Sequence, residues 1–276
     1  GTEAPSEMNL YLPQMQALCI AENAVKSLHN LLTPRGAEVR DGKAWAQFLD
    51  DALVRYGDKA QVMFAQHNWP TWGGEQIRTL LADERDMYAF INNRTLNLLN
   101  QGMTPLEIAD AVKKLPGTLD QKWYARGYYG TLSFNTRAVY QRYLGFYDGN
   151  PSNLDPLPPM EAGKRYVQAM GGADNVLAQM QAAIEQGDYR WAVQLGNHLV
   201  FAEPDNQAAR AAQAAAVLRP HPAAAQRRGQ DVLDGLPHML DARQRLAGAA
   251  IHSDHRVTPA ADPGACSGTP ARRCHW

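Results

Sequence analysis

The chain has 276 residues, 45% hydrophobic and 20% charged, the composition of a folded rather than a disordered protein. With 27 basic and 28 acidic residues its net charge is −1, so no global electrostatic pull toward nucleic acid or an anionic membrane is expected. No apolar run reaches the ~18 residues needed for a transmembrane segment and no signal peptide opens the chain. Three cysteines (Cys19, Cys266, Cys274) make no disulfide framework, and their spacing fits no Cys-rich zinc module.

Taken in chain order, residues 1–75 read as α/β. Asn9–Leu12, Ala17–Ile20 and Val62–Phe64 are short apolar runs bounded by turn residues, which predicts strands. Between them Trp45, Phe48, Leu49, Leu53 and Tyr56 recur at helical spacing on one stripe. These strands are too few to close a sheet alone.

Residues 76–217 read as helical throughout. Tyr88, Ile91, Thr95 and Leu98 keep a helical stripe. Thr104-Pro-Leu-Glu107 predicts a helix start with Thr104 as N-cap and Glu107 closing a capping box, and Leu115-Pro116-Gly117 predicts its stop. Arg126–Tyr143 continues the pattern with five aromatic residues and two glycines, and a turn-rich linker runs over 148–159. Helices are expected near 159–170, 174–186 and 189–202, with a fourth from Asn206. Their spacing is that of one tetratricopeptide-like (TPR-like) helix pair, which argues antiparallel packing more than a repeat array.

Residues 218–276 differ. They contain no Lys, Glu, Asn, Phe or Tyr, yet eight Arg and five of the eight histidines. This vocabulary is expected of a disordered or frame-shifted tail, with the shifted frame favoured. His221, His238, His252 and His255 are therefore set aside as ligands.

Before that tail only His29, His67 and His198 remain, and no His-x-His-x-Asp-His, His-Glu-x-x-His, Gly-x-Ser-x-Gly or phosphate-cradling glycine loop is present. Polar residues do gather after the expected strand ends: Glu3 and Glu7, then Glu22, then His67. By residue type alone the glutamates are solvated loop or cap residues, and His67 beside Trp69 is a packed histidine. Arg35 after Pro34 is an ordinary turn residue.

Several motifs in order change that reading. Gly1-Thr-Glu-Ala-Pro-Ser-Glu-Met8, Ala21-Glu-Asn-Ala24, Leu28-His-Asn30 with Arg35-Gly36, and His67-x-Trp-Pro70 resemble the second half of an alkyl sulfatase catalytic domain, within the metallo-β-lactamase superfamily. Arg126-Gly-Tyr-Tyr-Gly130, Ala138–Gly145, Asp148-Gly-Asn-Pro151 and Gly187-Asp-Tyr-Arg-Trp191 resemble that family's helical dimerisation domain. The resemblance covers residues 1 to about 217. It implies an α/β fragment of an αββα fold over 1–75, an all-α, TPR-like dimerisation domain over 76–217 and a homodimer through the latter.

The resemblance also implies a site. Two zinc ions are expected, with Glu3 a ligand of the first, Glu22 bridging and His67 a ligand of the second. Asn30 and Arg35 stand where the family grips the sulfate group, a planar guanidinium suiting paired oxygens. His29 is placed to assist the leaving group, and Lys26 stands where a histidine is more usual. The implied reaction hydrolyses alkyl sulfate esters of the dodecyl sulfate type to alcohol and sulfate. The family's histidine motif and its lipid-carrier-like domain are not in this sequence, so a fragment inactive alone is expected. A bacterial periplasmic or secreted setting is favoured by the resemblance. The competing reading is a non-catalytic helical dimerisation or interaction module; a metallo-hydrolase acting on phosphate or lactam is a third.

Overall fold

The computed structural model describes residues 2, 4, 6–33 and 36–218, all in the first of the two units, Gly1–Pro237 and His238–Trp276, into which the chain divides. The tail expected from 218 thus lies outside the described residues beyond Leu218, as do Glu3 and Arg35.

Four short strands form one sheet in the order β1 (Leu10–Leu12), β2 (Ala17–Cys19), β3 (Val62–Phe64), β4 (Thr71–Trp72). β1–β2 and β3–β4 are antiparallel, while β2–β3 is parallel and needs a long crossover. Helix α1 (Gly42–Tyr56) lies in that crossover. Alternation along the strands sets the two faces. Tyr11, Leu18 and Met63 fall in one register row and join the core, whereas Leu10, Leu12, Phe64 and Trp72 are exposed.

Asp41 caps α1, its carboxylate accepting from the Lys43 and Ala44 amides at 3.0 Å. The buried stripe is Trp45, Ala46, Leu49 and Ala52, and Phe48 falls at its exposed edge. α1 packs along α2 (Gly74–Leu99), whose inner face carries Ile77, Leu81, Tyr88 and Ile91. The Trp45 and Tyr88 rings stack with centroids 4.6 Å apart. This core draws on residues from Leu18 to Val139, so the boundary expected at 75/76 falls inside it.

α3 (Pro105–Ala111) begins as expected, with Thr104 as N-cap and the reciprocal Glu107 contact to the Thr104 amide at 2.8 Å. It ends at Ala111, four residues before the expected stop. Val112 packs into a small cluster with Leu98, Ile108 and Tyr140, while Leu115 belongs to the main core. The chain must leave the helix to serve both. α4 (Leu132–Leu144) is shorter than the aromatic pattern suggested, starting where Thr131 accepts from the Phe134 amide.

A second core lies among α5 (Pro159–Ala169), α6 (Ala173–Glu185), α7 (Tyr189–Ala202) and α8 (Gln207–Leu218), built on Val176, Met180, Leu195 and Leu199. α7 packs against the other three. Gly163 makes the α5–α7 approach possible, because a Cβ there would lie 2.7 Å from the His198 carbonyl oxygen. Among the described residues no helix is long and apolar enough to cross a membrane.

The capping box predicts its own cost. Thr104→Ala removes the side-chain acceptor for the Glu107 amide and should destabilise by about 1 kcal/mol. Differential scanning calorimetry should show a loss of roughly 2–4 °C, with Thr104→Ser close to unchanged.

Candidate functional site

The parallel pairing of β2 with β3 continues beyond both strands. Cys19 faces Phe64, the Ile20 amide donates to the Phe64 carbonyl (2.9 Å), and the Gln66 amide donates to the Ala21 carbonyl (3.0 Å). Glu22 stands three residues past Cys19 and His67 three past Phe64. Equal offsets from one register pair bring them together: His67 Nε2 lies 2.9 Å from Glu22 Oε1. The imidazole is 63% exposed and the carboxylate 15%, so the pair sits at a rim with its acid turned inward.

Glu7 packs behind Glu22, its Oε1 accepting from the Glu22 amide at 2.6 Å. Thr2 Oγ1 lies between two acceptors, the other Glu7 oxygen and Asn23 Oδ1 (2.7 Å), and its single proton serves one of them at a time. Among the described residues no group of three His, Cys, Asp or Glu side chains gathers at metal-binding distance. Glu3, the third member of the expected ligand set, lies outside them.

Residues 20–31 leave Glu22 and run to Asn30 as a nearly continuous buried segment without regular secondary structure. A buried backbone must find partners for its N–H and C=O groups, and here other elements supply them. Trp45 Nε1 donates to Asn23 O (2.8 Å), and Asn68 Nδ2 donates to Val25 O. The Leu28 amide donates to Arg126 O (2.9 Å) and the His29 amide to the Tyr88 hydroxyl (3.1 Å). Asn135 serves two groups, donating to His29 O (2.9 Å) and accepting from the Leu31 amide (3.0 Å). Arg40 donates to Asn30 O at 2.8 Å and also to Asn30 Oδ1.

That accounting places the expected residues. Asn30 is buried, with its Nδ2 donating to Tyr129 O (3.1 Å) and its oxygen held by Arg40. His29 is 2% exposed, its ring between Trp45 and Tyr129 at centroid distances of 5.3 and 4.7 Å. Its Nδ1 lies 2.9 Å from Asn30 O, which requires the proton on Nδ1 because a carbonyl only accepts. Lys26 bridges to the His67 loop instead of facing solvent: its ammonium donates to Trp69 O (2.6 Å) and Pro70 O (3.1 Å). Burial lowers its pKa. Lys26 also helps line a groove of about 440 Å³ with Trp69, Trp72 and Trp123, where the Trp69 and Trp123 rings stack at 5.4 Å.

Five positioning residues were missed from sequence: Arg40, Glu84, Tyr88, Gly130 and Asn135. A Cβ at Gly130 would lie 2.8 Å from both the Asn30 nitrogen and the Leu28 oxygen, so its backbone packs flat against the segment. Only Glu84 carried a signal, being a carboxylate on the apolar stripe of α2. It is 1% exposed, and neither carboxyl oxygen makes a hydrogen bond of normal geometry. Burial pushes its pKa well up; the nearby Lys26 amide opposes that and the Asp83 charge adds to it.

The chain's relatives can now be set beside this geometry. Residues 104–226 match the family described as alkyl sulfatase dimerisation. The chain is 70% identical over 217 residues to an (R)-specific secondary-alkylsulfatase from Pseudomonas sp., covering 79% of this chain and 33% of that protein. It is 52% identical over 210 residues to the alkyl/aryl-sulfatase BDS1 of Saccharomyces cerevisiae, covering 76% of this chain and 32% of that one. The solved structure of the stereoselective inverting sec-alkylsulfatase Pisa1 from Pseudomonas sp. superposes with a TM-score of 0.77 at 70% identity, over 79% of this chain and 34% of that chain. These relatives define a class of sulfuric ester hydrolases. The chain belongs to the alkyl sulfatase family. It spans about a third of the length of these relatives.

Glu84 generates a pH prediction. Its folded pKa lies above the unfolded value, so between the two the unfolded state binds fewer protons and stability falls as pH rises. Glu84→Gln should abolish that decline, raising the melting temperature by roughly 2–4 °C at pH 8 and by less at pH 5. Equal shifts at both pH values would contradict a neutral buried carboxyl. Gly130→Ala should destabilise by about 1–3 kcal/mol through overpacking, read by urea unfolding.

Proposed function

We propose that this chain carries part of the active centre of a zinc-dependent alkyl sulfatase, which hydrolyses alkyl sulfate esters of the dodecyl sulfate type to alcohol and sulfate. The observation that carries the reading is the convergence of Glu22 and His67 at 2.9 Å beyond paired strand ends. Oxygen and nitrogen donors of these two kinds fit zinc. On this reading residues 1–75 form part of an αββα metallo-β-lactamase fold, and the helices after them are a TPR-like dimerisation domain.

Glu22, His67 and Glu3 would hold the metal pair, with Glu22 bridging. When bound, such a pair supplies Lewis-acid activation of water and neutralises charge on the departing sulfate. Asn30 and Arg35 grip the sulfate. Asn30 gives one N–H to Tyr129 O and offers the other to a sulfate oxygen, while Arg40 fixes which way the amide points. Arg35 would supply a planar guanidinium, a group suited to paired sulfate oxygens. His29, adjacent in the chain and bonded to the Asn30 carbonyl, is assigned to assisting the departing alcohol.

Glu3, Glu22 and His67 give one to two ligands per ion, fewer than the three or four of a tight zinc site. The chain alone should therefore bind under two zincs and release no sulfate from dodecyl sulfate, as read by inductively coupled plasma mass spectrometry and a sulfate assay. Joined to a polypeptide bearing the His-x-His-x-Asp-His motif it should gain both. In that longer protein Glu22→Gln or His67→Ala should lower turnover and zinc content, turnover by more than about 100-fold. The second reading, a non-catalytic helical dimerisation module, is favoured by the separate core of α5–α8. A joined protein that folds, binds zinc and stays inert would establish it instead.

A further inference from the structure

The loop that delivers His67 to Glu22 has little of its own to hold it. Residues 66–70 lack regular secondary structure and are all exposed. The Gln66 amide is the last group to follow the strand register, donating to the Ala21 carbonyl at 3.0 Å. Beyond it, apart from the Glu22–His67 contact, the hydrogen bonds of residues 67–70 among the described residues run to one dipeptide, Val25-Lys26. Asn68 Nδ2 donates to the Val25 carbonyl, and the Lys26 ammonium donates to the carbonyls of Trp69 (2.6 Å) and Pro70 (3.1 Å). The same ammonium lies 5.2 Å from the centroid of the Trp69 ring. Lys26 is 8% exposed and belongs to the buried segment that Trp45, Tyr88 and Asn135 hold, so it is the fixed end of these contacts.

His67 is thus bracketed. One residue before it, Gln66 is tied to Ala21; two residues after it, Trp69 is tied to Lys26 by its carbonyl and to Trp123 by ring stacking at 5.4 Å. We propose that Lys26 is a positioning residue for the metal centre: its ammonium, by holding the Trp69 and Pro70 carbonyls, sets the His67 imidazole against Glu22 and so sets zinc affinity there. The proposal rests on the reading of Glu22 and His67 as zinc ligands. An ammonium suits the task, because its three donors can reach two successive carbonyls at once and charge-assisted bonds are about twice as strong as neutral ones. Groups that orient a ligand from behind typically change metal affinity by about 10–100-fold. Charge alone acts in the opposite sense, since a cation beside a metal pair repels it. The sign of the effect therefore separates a tether from a bystander.

The test is made on the full chain, by amide hydrogen exchange and by calorimetric titration with zinc. Lys26→Met keeps the length of the stem and removes the ammonium. The Gln66 amide should then exchange at least about tenfold faster, while the Ile20 amide, bonded to the Phe64 carbonyl one step inside the sheet, stays unchanged. Zinc affinity should fall by at least about tenfold. Lys26→Arg, which keeps a cation with several N–H donors, should recover most of both losses, and Lys114→Met, which removes the same charge from an exposed lysine, should cause neither. Lys26→Gln repeats the measurement should the methionine variant not fold. Unchanged Gln66 exchange overturns the tether, and so does zinc binding that is unchanged or tighter. Exchange is read without metal, so the two readings fail separately: a chain that takes up no zinc while its Gln66 amide loosens on Lys26→Met overturns the zinc reading and leaves Lys26 as the anchor of the His67 loop.

Discussion

The structure depends on burying a stretch of irregular backbone. Residues 20–31 give up water without helix or strand bonds to replace it, and each unpaired buried group would cost on the order of 1–3 kcal/mol. The surrounding elements are arranged as its partners. Trp45 comes from α1, Tyr88 from α2 and Asn135 from α4, with Arg40 and the Arg126 carbonyl from the intervening turns. Without these contacts Asn30 would have no fixed direction, and the segment would have no reason to stay buried. The close α1–α2 packing and the Trp45–Tyr88 stack follow from the same demand, since both rings also present a polar atom to the segment.

Register then turns this scaffold into a site. Parallel strands end side by side, so residues at equal offsets past their ends become neighbours, and Glu22 and His67 meet by that rule. The loops reach it through left-handed backbone at Ala21, Lys26 and Asn68, all non-glycine residues. Such conformations are sparsely populated and persist where surrounding bonds over-determine them. Lys26 illustrates this, because its ammonium ties down the Trp69–Pro70 backbone while the Asn68 side chain ties back to Val25. The two loops are stitched together from both sides.

Much of this was legible in the sequence, and the illegible part has a pattern. Strands at 10–12, 17–19 and 62–64, the Thr104–Glu107 box and the four helices after 158 follow from short-range signals that act within a few residues. The Leu115 stop and the aromatic run from Arg126 failed for one reason. Local periodicity continued, but distant packing overrode it: Leu115 is pulled into the main core, and residues 126–131 form an irregular, bent stretch with Gly130 pressed on Leu28–Asn30. Arg40, Tyr88 and Asn135 act across separations of 10, 59 and 106 residues, and no local pattern announces such a contact. Strand ends drew notice to Glu22 and His67 as polar groups, but residue type alone made them a loop carboxylate and a packed histidine, and only the family resemblance set them in one site.

Glu84 shows what the site costs the fold. It occupies a position on the α2 stripe where Leu or Met would pack better, and it lacks the hydrogen bonds that would make a buried carboxyl neutral in energy. One turn later Tyr88 uses the same inner face to hold the His29 amide. Residues i and i+4 of one helix thus present two polar groups to one buried loop, with Glu84 beside the Lys26 backbone and Tyr88 beside His29. A core selected for stability alone would replace Glu84. Places where a chain breaks its own packing rules are where function competes with stability, and this one lies under the loop that carries Lys26, His29 and Asn30. Burial pushes the Glu84 carboxyl toward its neutral form, which lessens the uncompensated charge that the main core would otherwise hold beneath the segment.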